Sequence, residues 1–172
     1  MSADLFGVEH SDRRAIDDYQ QNGRGTDEWL TPPELIHALG AFDLDPCSPG
    51  DRRPWNTAAK HYSIEDDGLR QDWSGRVWLN PPYANSAQWL ARLAEHGRGT
   101  ALIFARTETR AWFEQVWPKA AGLLFIRGRV KFHYINGKQG STAGAPSVLV
   151  AYGDHDAAVL SRIPLPGQYV PL

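Results

Sequence analysis

The chain has 172 residues and a formal net charge of −2, with 42% hydrophobic and 22% charged residues. This composition is typical of a globular domain and excludes disordered and membrane chains. No apolar run approaches the roughly 18 residues of a membrane span, and the first residues contain no secretory apolar segment, so we expect a cytoplasmic protein. The weak net charge does not exclude nucleic acid as a partner, because a basic face is sufficient for binding.

Cys47 is the only cysteine, so an internal disulfide cannot form. The six histidines lie at no metal-ligand spacing from Cys47, and we therefore expect no structural metal. Residues 1–25 are polar and interrupted by glycine, which predicts an N-terminal arm followed by a single domain over residues 26–172.

The segment TPPELIHALG predicts the first helix of the domain, with Thr31 as N-cap, Glu34 completing a capping box and Gly40 as the stop. AFDLDP then predicts a short strand that ends at Pro46. Residues 48–72 are rich in Asp, Pro and Gly and predict no regular element.

The remaining chain alternates apolar strands with amphipathic helices. SAQWLARLAEHG predicts a helix that is capped by Ser86 and ends at Gly97, and TRAWFEQVWP predicts a helix stopped by Pro118. The predicted strands are RVWLN, TALIFA, GLLFI, RVKFHY and SVLVAYG.

This order predicts an α/β fold with a mostly parallel sheet covered by helices on both faces. The last two strands are joined by a Gly-rich loop and no helix, so we predict that they form a C-terminal antiparallel hairpin at one edge of the sheet. In such a fold, ligands bind at the carboxyl ends of the strands.

Asn80, Pro81, Pro82 and Tyr83 follow directly after the predicted strand RVWLN. Each proline lacks an N–H and holds the residue before it in an extended conformation, so the carbonyl groups here are rigid and are not used by a helix. The Asn80 side chain adds a further acceptor, and the Tyr83 ring offers a surface on which a base can stack.

Two rigid acceptors suit a substrate amine with two hydrogens, such as N6 of adenine. The lone pair of that amine is delocalised into the ring, so the amine is a poor nucleophile. Accepting hydrogen bonds from both hydrogens favours the pyramidal amine of the transition state. The competing interpretation is that the prolines only end a strand and that Tyr83 packs in the core.

The motif NPPY, together with LDPCSP and WLTPPELI upstream, resembles the amino-methyltransferases, in particular the small phage-type DNA N6-adenine methyltransferases. The resemblance runs from Trp29 to about Gly153. It implies a Rossmann-like class I methyltransferase fold, S-adenosylmethionine as cofactor, DNA as partner and direct methyl transfer to a flipped-out base. It also implies that Asn80, Pro81, Pro82 and Tyr83 are the catalytic residues.

The resemblance places the acidic strand end in the cofactor pocket, where Asp45, Pro46 and Cys47 contact the cofactor and Asp43 lies nearby. The alternative is that both carboxylates only form turns. The family's wider class often carries a Gly-x-Gly turn where this chain has CSPG, so contacts from Ser48 and Gly50 stay open.

Thr31 and Pro32 match the upstream segment that holds the methionine part of the cofactor in these enzymes, a role that is compatible with Thr31 as a helix cap. Within EDDGLRQDW, Asp67 is the preferred acceptor for the amino group of the cofactor's adenine, and Asp72 is the rival. Either carboxylate could instead be a solvated loop residue.

The resemblance further implies that Phe132 sandwiches the target base against Tyr83, unless Phe132 belongs to the core. One face of a predicted strand carries Arg127, Arg129 and Lys131. These cations either bind phosphates or keep a solvated edge strand from pairing with another chain.

Arg106 and Glu108 follow another strand end, and we expect Arg106 to contact the substrate. The alternatives to DNA adenine are another planar nitrogen, in RNA adenine, cytosine N4 or a protein glutamine, and a non-catalytic relative that binds cofactor or DNA. The oligomeric state and the target sequence stay open.

Overall fold

The computed structural model describes residues 29–172, and the predicted arm over residues 1–25 lies outside them. Nine strands and three α-helices occur in the described residues. The helices are α1 (Pro33–Leu39), α2 (Ser86–His96) and α3 (Asp154–Arg162). The strands are β1 (Leu44–Asp45), β2 (Lys60–His61), β3 (Val77–Leu79), β4 (Gly99–Phe104), β5 (Gly122–Ile126), β6 (Lys131–His133), β7 (Gln139–Thr142), β8 (Ser147–Tyr152) and β9 (Gly167–Pro171).

Seven strands form one sheet in the order β2-β1-β3-β4-β8-β5-β9, and β6 pairs with β7 in a separate hairpin. Strands β1 to β4 pair in parallel, whereas β8 is antiparallel to both β4 and β5, so β5 runs in the same direction as β4. β9 is antiparallel to β5. The predicted α/β class with a mostly parallel sheet is confirmed.

The predicted edge hairpin of RVKFHY and SVLVAYG is wrong. All six residues of β8 are buried, and the strand lies inside the sheet, where both its backbone edges and both its faces are covered. β6 instead pairs with the polar strand β7, which was not predicted because Gln139–Thr142 carries no apolar pattern.

The helix ends differ from the prediction in three places. α2 begins at Ser86, with Asn85 in the cap position and no side-chain cap bond, so the prediction of Ser86 as the cap is wrong. α1 begins at Pro33 with Pro32 in the cap position and no side-chain cap bond, so the predicted capping box is wrong. The segment stopped by Pro118 is a short π-helix, Trp112–Val116, and not an α-helix. α2 ends as predicted at Gly97, whose φ of 73° lies in the left-handed region that glycine adopts without strain.

The core lies in two clusters of buried side chains on the two faces of the sheet. Along β3, Val77 and Leu79 belong to one cluster and Trp78 belongs to the other. This alternation follows from the two-residue period of a strand, and it explains why RVWLN reads as continuously apolar in the sequence.

A buried ion pair joins the amino ends of the strands to the last helix. Arg76 Nε donates to Asp156 Oδ1 at 2.7 Å, and the two side chains are 6% and 0% exposed. Arg76 Nη1 also donates to the carbonyl oxygens of Leu39 and Ala41, and the Thr100 hydroxyl donates to Asp156 Oδ1. The pair therefore holds α1, β3, β4 and α3 together.

We expect Asp156→Asn to lower the free energy of unfolding by about 3–5 kcal/mol, because it leaves the buried Arg76 guanidinium without a counter-charge. Urea denaturation measures the change. Asp154→Asn is the matched control, since Asp154 is exposed in the same helical turn, and it should cost about 1 kcal/mol or less. Equal losses in the two variants would contradict a special role for the buried pair.

Candidate active site

A cavity of about 430 Å³ opens at the carboxyl ends of β1 and β3, within the roughly 300–1,000 Å³ range of small-molecule pockets. Four stretches of chain supply most of its walls: the segment before α1, the strand end after β1, the loop before β3 and the strand end after β3. β3 and α2 add one tryptophan each. Together these segments contribute Trp29, Leu30, Thr31, Asp45, Pro46, Cys47, Ser48, Pro49, Arg53, Trp55, Thr57, Ser63, Ile64, Asp67, Gly68, Trp78, Asn80, Pro81, Pro82, Tyr83 and Trp89.

The Asn80 amide is oriented by the main chain of another segment. Its Nδ2 donates to the Trp29 carbonyl oxygen at 2.9 Å, which turns Oδ1 away from Trp29. Pro81 is buried and Pro82 is exposed, with Pro82 at φ −60° and ψ 138°. The residues between β3 and the 3₁₀ turn at Tyr83–Asn85 are therefore extended, as predicted, and their carbonyl groups are not drawn into a helix.

Tyr83 stacks on Phe104, with ring centroids 4.4 Å apart and an angle of 18° between the planes. Phe104 ends β4, the strand next to β3. Tyr83 remains 43% exposed at the rim of the cavity. Phe104 therefore supports the ring from the side of the sheet, a role that the sequence prediction had given to no residue.

Asp45 lies at the end of β1 and is only 5% exposed. Oδ1 accepts from the Cys47 N–H, and Oδ2 accepts a short hydrogen bond from the Thr57 hydroxyl. Burial raises the pKa of Asp45 from 3.8 to about 6, although both hydrogen bonds and the charge of Arg53 act in the opposite direction.

Cys47 connects the two strand ends. Its thiol donates to the Asn80 carbonyl oxygen at 3.3 Å. Burial, together with the neighbouring Asp45 carboxylate, raises the pKa of the thiol well above its usual value, so the thiol stays protonated. Cys47 is therefore a donor that steadies the Asn80–Pro81 peptide.

Thr31 is buried in the cavity wall, and its hydroxyl has no hydrogen-bond partner among the described residues. Its carbonyl oxygen accepts from Trp55 Nε1 at 3.2 Å. The Thr31 hydroxyl is thus available to a ligand and is not used as a helix cap. Pro32, which the sequence analysis paired with Thr31, caps α1 and is not among the cavity residues.

Asp67 and Gly68 bring the loop before β3 against the end of β1. A Cβ at Gly68 would lie 1.9 Å from the Pro46 carbonyl oxygen, so only glycine permits this approach. Asp67 lines the cavity and lies 3.2 Å from the exposed guanidinium of Arg70. Asp72 is exposed and is not among the cavity residues, so the structure places the preferred carboxylate, and not its rival, at the site.

Two predicted site residues lie elsewhere. Asp43 precedes β1, and its Oδ2 accepts from the Arg76 N–H at 2.6 Å, so it fixes the start of the strands and not the pocket at their ends. Phe132 is 4% exposed within the core cluster that contains Trp78. Phe132 therefore lies in the core, the alternative that the sequence analysis left open, and the ring that stacks on Tyr83 is that of Phe104. The sandwich of a target base between Phe132 and Tyr83 stays a prediction.

The predicted basic residues are exposed around the strand ends. Arg127 and Arg129 follow β5 in a turn, and Lys131 begins β6, so the three do not form one strand face as predicted. Arg106 and Glu108 are exposed just beyond Phe104. None of these side chains lines the cavity.

Sequence reasoning missed several cavity residues within residues 48–72, where no pattern was visible. Among residues 29–172, Arg53 is the only Lys or Arg on the cavity wall. His61 Nε2 accepts from the N–H groups of Thr57 and Ala58, and burial and then the charge of Arg53 lower its pKa from 6.5 to about 4. A neutral His61 therefore holds the turn that presents Thr57 to Asp45.

Residues 29–172 contain no group of three or more His, Cys, Asp or Glu side chains that could hold a metal ion. No helix in this part of the chain has the length and apolar character needed to cross a membrane.

The model of the family DNA N-6-adenine-methyltransferase (Dam) matches residues 20–159. This match covers well over half of the 172 residues. The chain belongs to the Dam family. The resemblance inferred from the Asn-Pro-Pro-Tyr motif is therefore confirmed, and membership implies DNA adenine methyltransferase activity in general terms. No curated protein and no solved structure matches the chain significantly.

The raised pKa of Asp45 predicts a stability change between pH 4 and pH 6. The native state disfavours the carboxylate, so the contribution of protonated Asp45 is present below pH 3.8 and is lost as the pH rises through about 6. The unfolding free energy of wild type, relative to Asp45→Asn, should fall by about 3 kcal/mol across this window. Urea denaturation of both proteins at several pH values measures the difference. The contribution of His61 ionisation cancels because both proteins contain His61. A constant difference would contradict a buried, raised Asp45.

Proposed function

We propose that this protein methylates the N6 amine of adenine in DNA, with S-adenosylmethionine as methyl donor and with the target base turned out of the duplex. The observation that carries the proposal is the fixed amide of Asn80, which lines the cavity together with the exposed Tyr83 ring. Family membership supports the substrate class.

The cavity residues fit S-adenosylmethionine. Trp29 and Trp55, which line the cavity and are both partly exposed, give aromatic walls suited to a flat heterocycle. The unpaired, buried Thr31 hydroxyl offers a polar contact, and Arg53 offers a cation for a carboxylate. Asp67, which lies on the same wall, offers an acceptor to the amino group of the cofactor's adenine.

When bound, S-adenosylmethionine would supply an electrophilic methyl group on its sulfonium; the N–C bond would form as the S–C bond breaks to leave a neutral thioether, and the methylated amine would then lose one proton to water. The chain's own contribution is at the amine. Asn80 Oδ1 and the Pro81 carbonyl oxygen accept the two N6 hydrogens and favour the pyramidal amine as charge develops. Tyr83, backed by Phe104, stacks on the base and holds its plane. Positioning of the two reactants contributes much of the remaining rate.

The base must leave the duplex to reach Asn80, because N6 is hydrogen-bonded within a base pair. The surface beside the cavity has the charge needed to hold the DNA backbone. Residues 127–146 contain four cations, Arg127, Arg129, Lys131 and Lys138, and no acidic residue, so the rest of the chain carries −2 − 4 = −6. All four cations are exposed. Arg106, beyond Phe104, adds a further cation near Tyr83.

Asn80→Ala should lower the rate of methyl transfer by about 10²–10³-fold or more, because an acceptor aimed at the amine is lost. Cofactor affinity, measured by calorimetry, should change little. Transfer of tritium from labelled cofactor to DNA, RNA and protein, followed by digestion of the DNA to nucleosides, measures the activity and identifies the product.

Asn85→Ala is the matched control for Asn80→Ala, since Asn85 is exposed outside the cavity, and it should retain full activity. N4-methylcytosine, methylated RNA or methylated protein as the product would contradict DNA adenine as the substrate. Full activity of Asn80→Ala would contradict the mechanism.

Arg129→Gln and Lys131→Gln should each weaken DNA binding and reduce the slope of log K against log salt concentration by about one. Fluorescence anisotropy with a labelled duplex measures the slope. Lys119→Gln is the control, because Lys119 is exposed at the opposite end of β5, where its Nζ donates to Gln115. An unchanged slope in the first two variants would exclude phosphate contacts by this surface.

A further inference from the structure

Three consecutive residues before α1 use their main chains to join three separate parts of the site. Trp29 accepts from the Asn80 amide through its carbonyl oxygen. Leu30 and His133 exchange two backbone hydrogen bonds of 2.9 Å. Thr31 accepts from Trp55 through its carbonyl oxygen. Residues 29–31, called the bridging segment below, therefore connect the catalytic strand end, the β6–β7 hairpin and the loop after β1.

The bond to Trp29 decides what Asn80 presents to a substrate. An amide has a donor nitrogen on one side and an acceptor oxygen on the other. Because the Asn80 nitrogen donates to the Trp29 carbonyl oxygen, the side chain is held with its acceptor, Oδ1, turned away from Trp29. A carbonyl oxygen accepts only, so it selects a donor at this position and rejects a second acceptor.

We propose that the Trp29 carbonyl is a positioning group that makes the site specific for an amide at position 80, and that the β6–β7 hairpin keeps it in place. This inference rests on the proposed role of Asn80 as an acceptor for the substrate amine. It adds that the DNA-facing hairpin and the catalytic amide are mechanically linked through the bridging segment.

The hairpin holds the bridging segment by side chains as well as by backbone. The Trp29 and Tyr134 rings lie 5.2 Å apart, and a Cβ at Gly140 would lie 2.9 Å from the Trp29 ring. Trp55 packs edge-on against His133, with ring centroids 5.2 Å apart. Lys131, which begins the hairpin, is one of the cations assigned to the DNA backbone. A displacement of the hairpin therefore reaches Trp29 through the Leu30–His133 backbone bridge and through the Tyr134 ring contact.

Asn80→Asp tests the amide requirement directly. The introduced carboxylate has the same shape, but it places an anionic oxygen against the Trp29 carbonyl and has no hydrogen to donate. At pH 8 we expect kcat to fall by about 10²-fold, with cofactor affinity and thermal midpoint close to those of wild type. Protonation restores a donor, so the ratio of variant to wild-type kcat should rise as the pH falls from 8 to 6.

The pH comparison must account for the other ionisable groups around position 80. These are Asp45, Cys47, Arg53, Asp67 and Tyr83 on the cavity wall, with His61 and His133 behind it. All of them are present in both proteins, so the ratio of the two kcat values removes the pH dependence that the two proteins share. A ratio that stays constant across this range would show that the Trp29 bond is merely structural and would overturn the inference.

Tyr134→Ala tests the hairpin link, and Tyr134→Phe, which keeps the ring, is its control. Loss of the ring contact should lower kcat by up to about tenfold, whereas the Phe variant should match wild type. Because Tyr134 is exposed, DNA affinity is measured separately. A loss confined to DNA affinity or KM would overturn the link between hairpin and amide.

Hydrogen exchange gives a readout that needs no substrate. The Asn80 side-chain amide protons, assigned by their absence in Asn80→Asp, should exchange slowly in wild type and faster in Tyr134→Ala. Slow exchange in wild type with no methylation of DNA would contradict the proposed function alone. Methylation of DNA by wild type, with full kcat for Asn80→Asp at pH 8, would overturn the inference alone.

Discussion

The buried ion pair between Arg76 and Asp156 fixes the strands at their amino ends, and the site at their carboxyl ends depends on it. β1 has two residues and β3 has three, so little chain separates this pair from the functional side chains. Asn80 follows Arg76 by only four positions. A slip of one residue would turn each side chain to the other face of the sheet. Fixing the start of β3 therefore fixes the direction in which Asn80 points.

The site relies on main-chain carbonyl groups as much as on side chains. The carbonyl of Asn80 accepts from the Cys47 thiol, and the carbonyl of Trp29 accepts from the Asn80 amide. The prolines at 81 and 82 make this arrangement possible, because they prevent the chain from forming a helix that would use these groups. Asn80 is thereby held on two sides before any substrate arrives, which is the preorganisation that electrostatic catalysis requires.

Much of this arrangement could be predicted from sequence patterns. The other predictions failed for physical reasons. Apolar runs predicted β3, β4 and β5, and the proline pair predicted the extended segment after β3. The predicted position of β8 was wrong because a Gly-rich link with no helix suggested that β6 and β8 are neighbours, although the unbroken apolar run of β8 fits a central strand better. Phe132 and Phe104 are both phenylalanines in predicted strands, so the sequence does not distinguish them. Only the strand order shows which of them reaches Tyr83. The Trp29 contact is made by a backbone atom, which no side-chain pattern reveals.

The insertion of β8 between β4 and β5 has a consequence for the order in which the molecule assembles. Until residues 147–152 dock, β4 and β5 each present an unpaired apolar edge, which is the kind of surface that promotes aggregation. Pairing of β4 with β8 joins residues far apart in the sequence, and such contacts form slowly. The half of the sheet that carries Asn80 leaves the ribosome first but acquires its closing partner late. Synthesis of the Asn-Pro-Pro-Tyr motif and completion of the sheet around it are thus separate events.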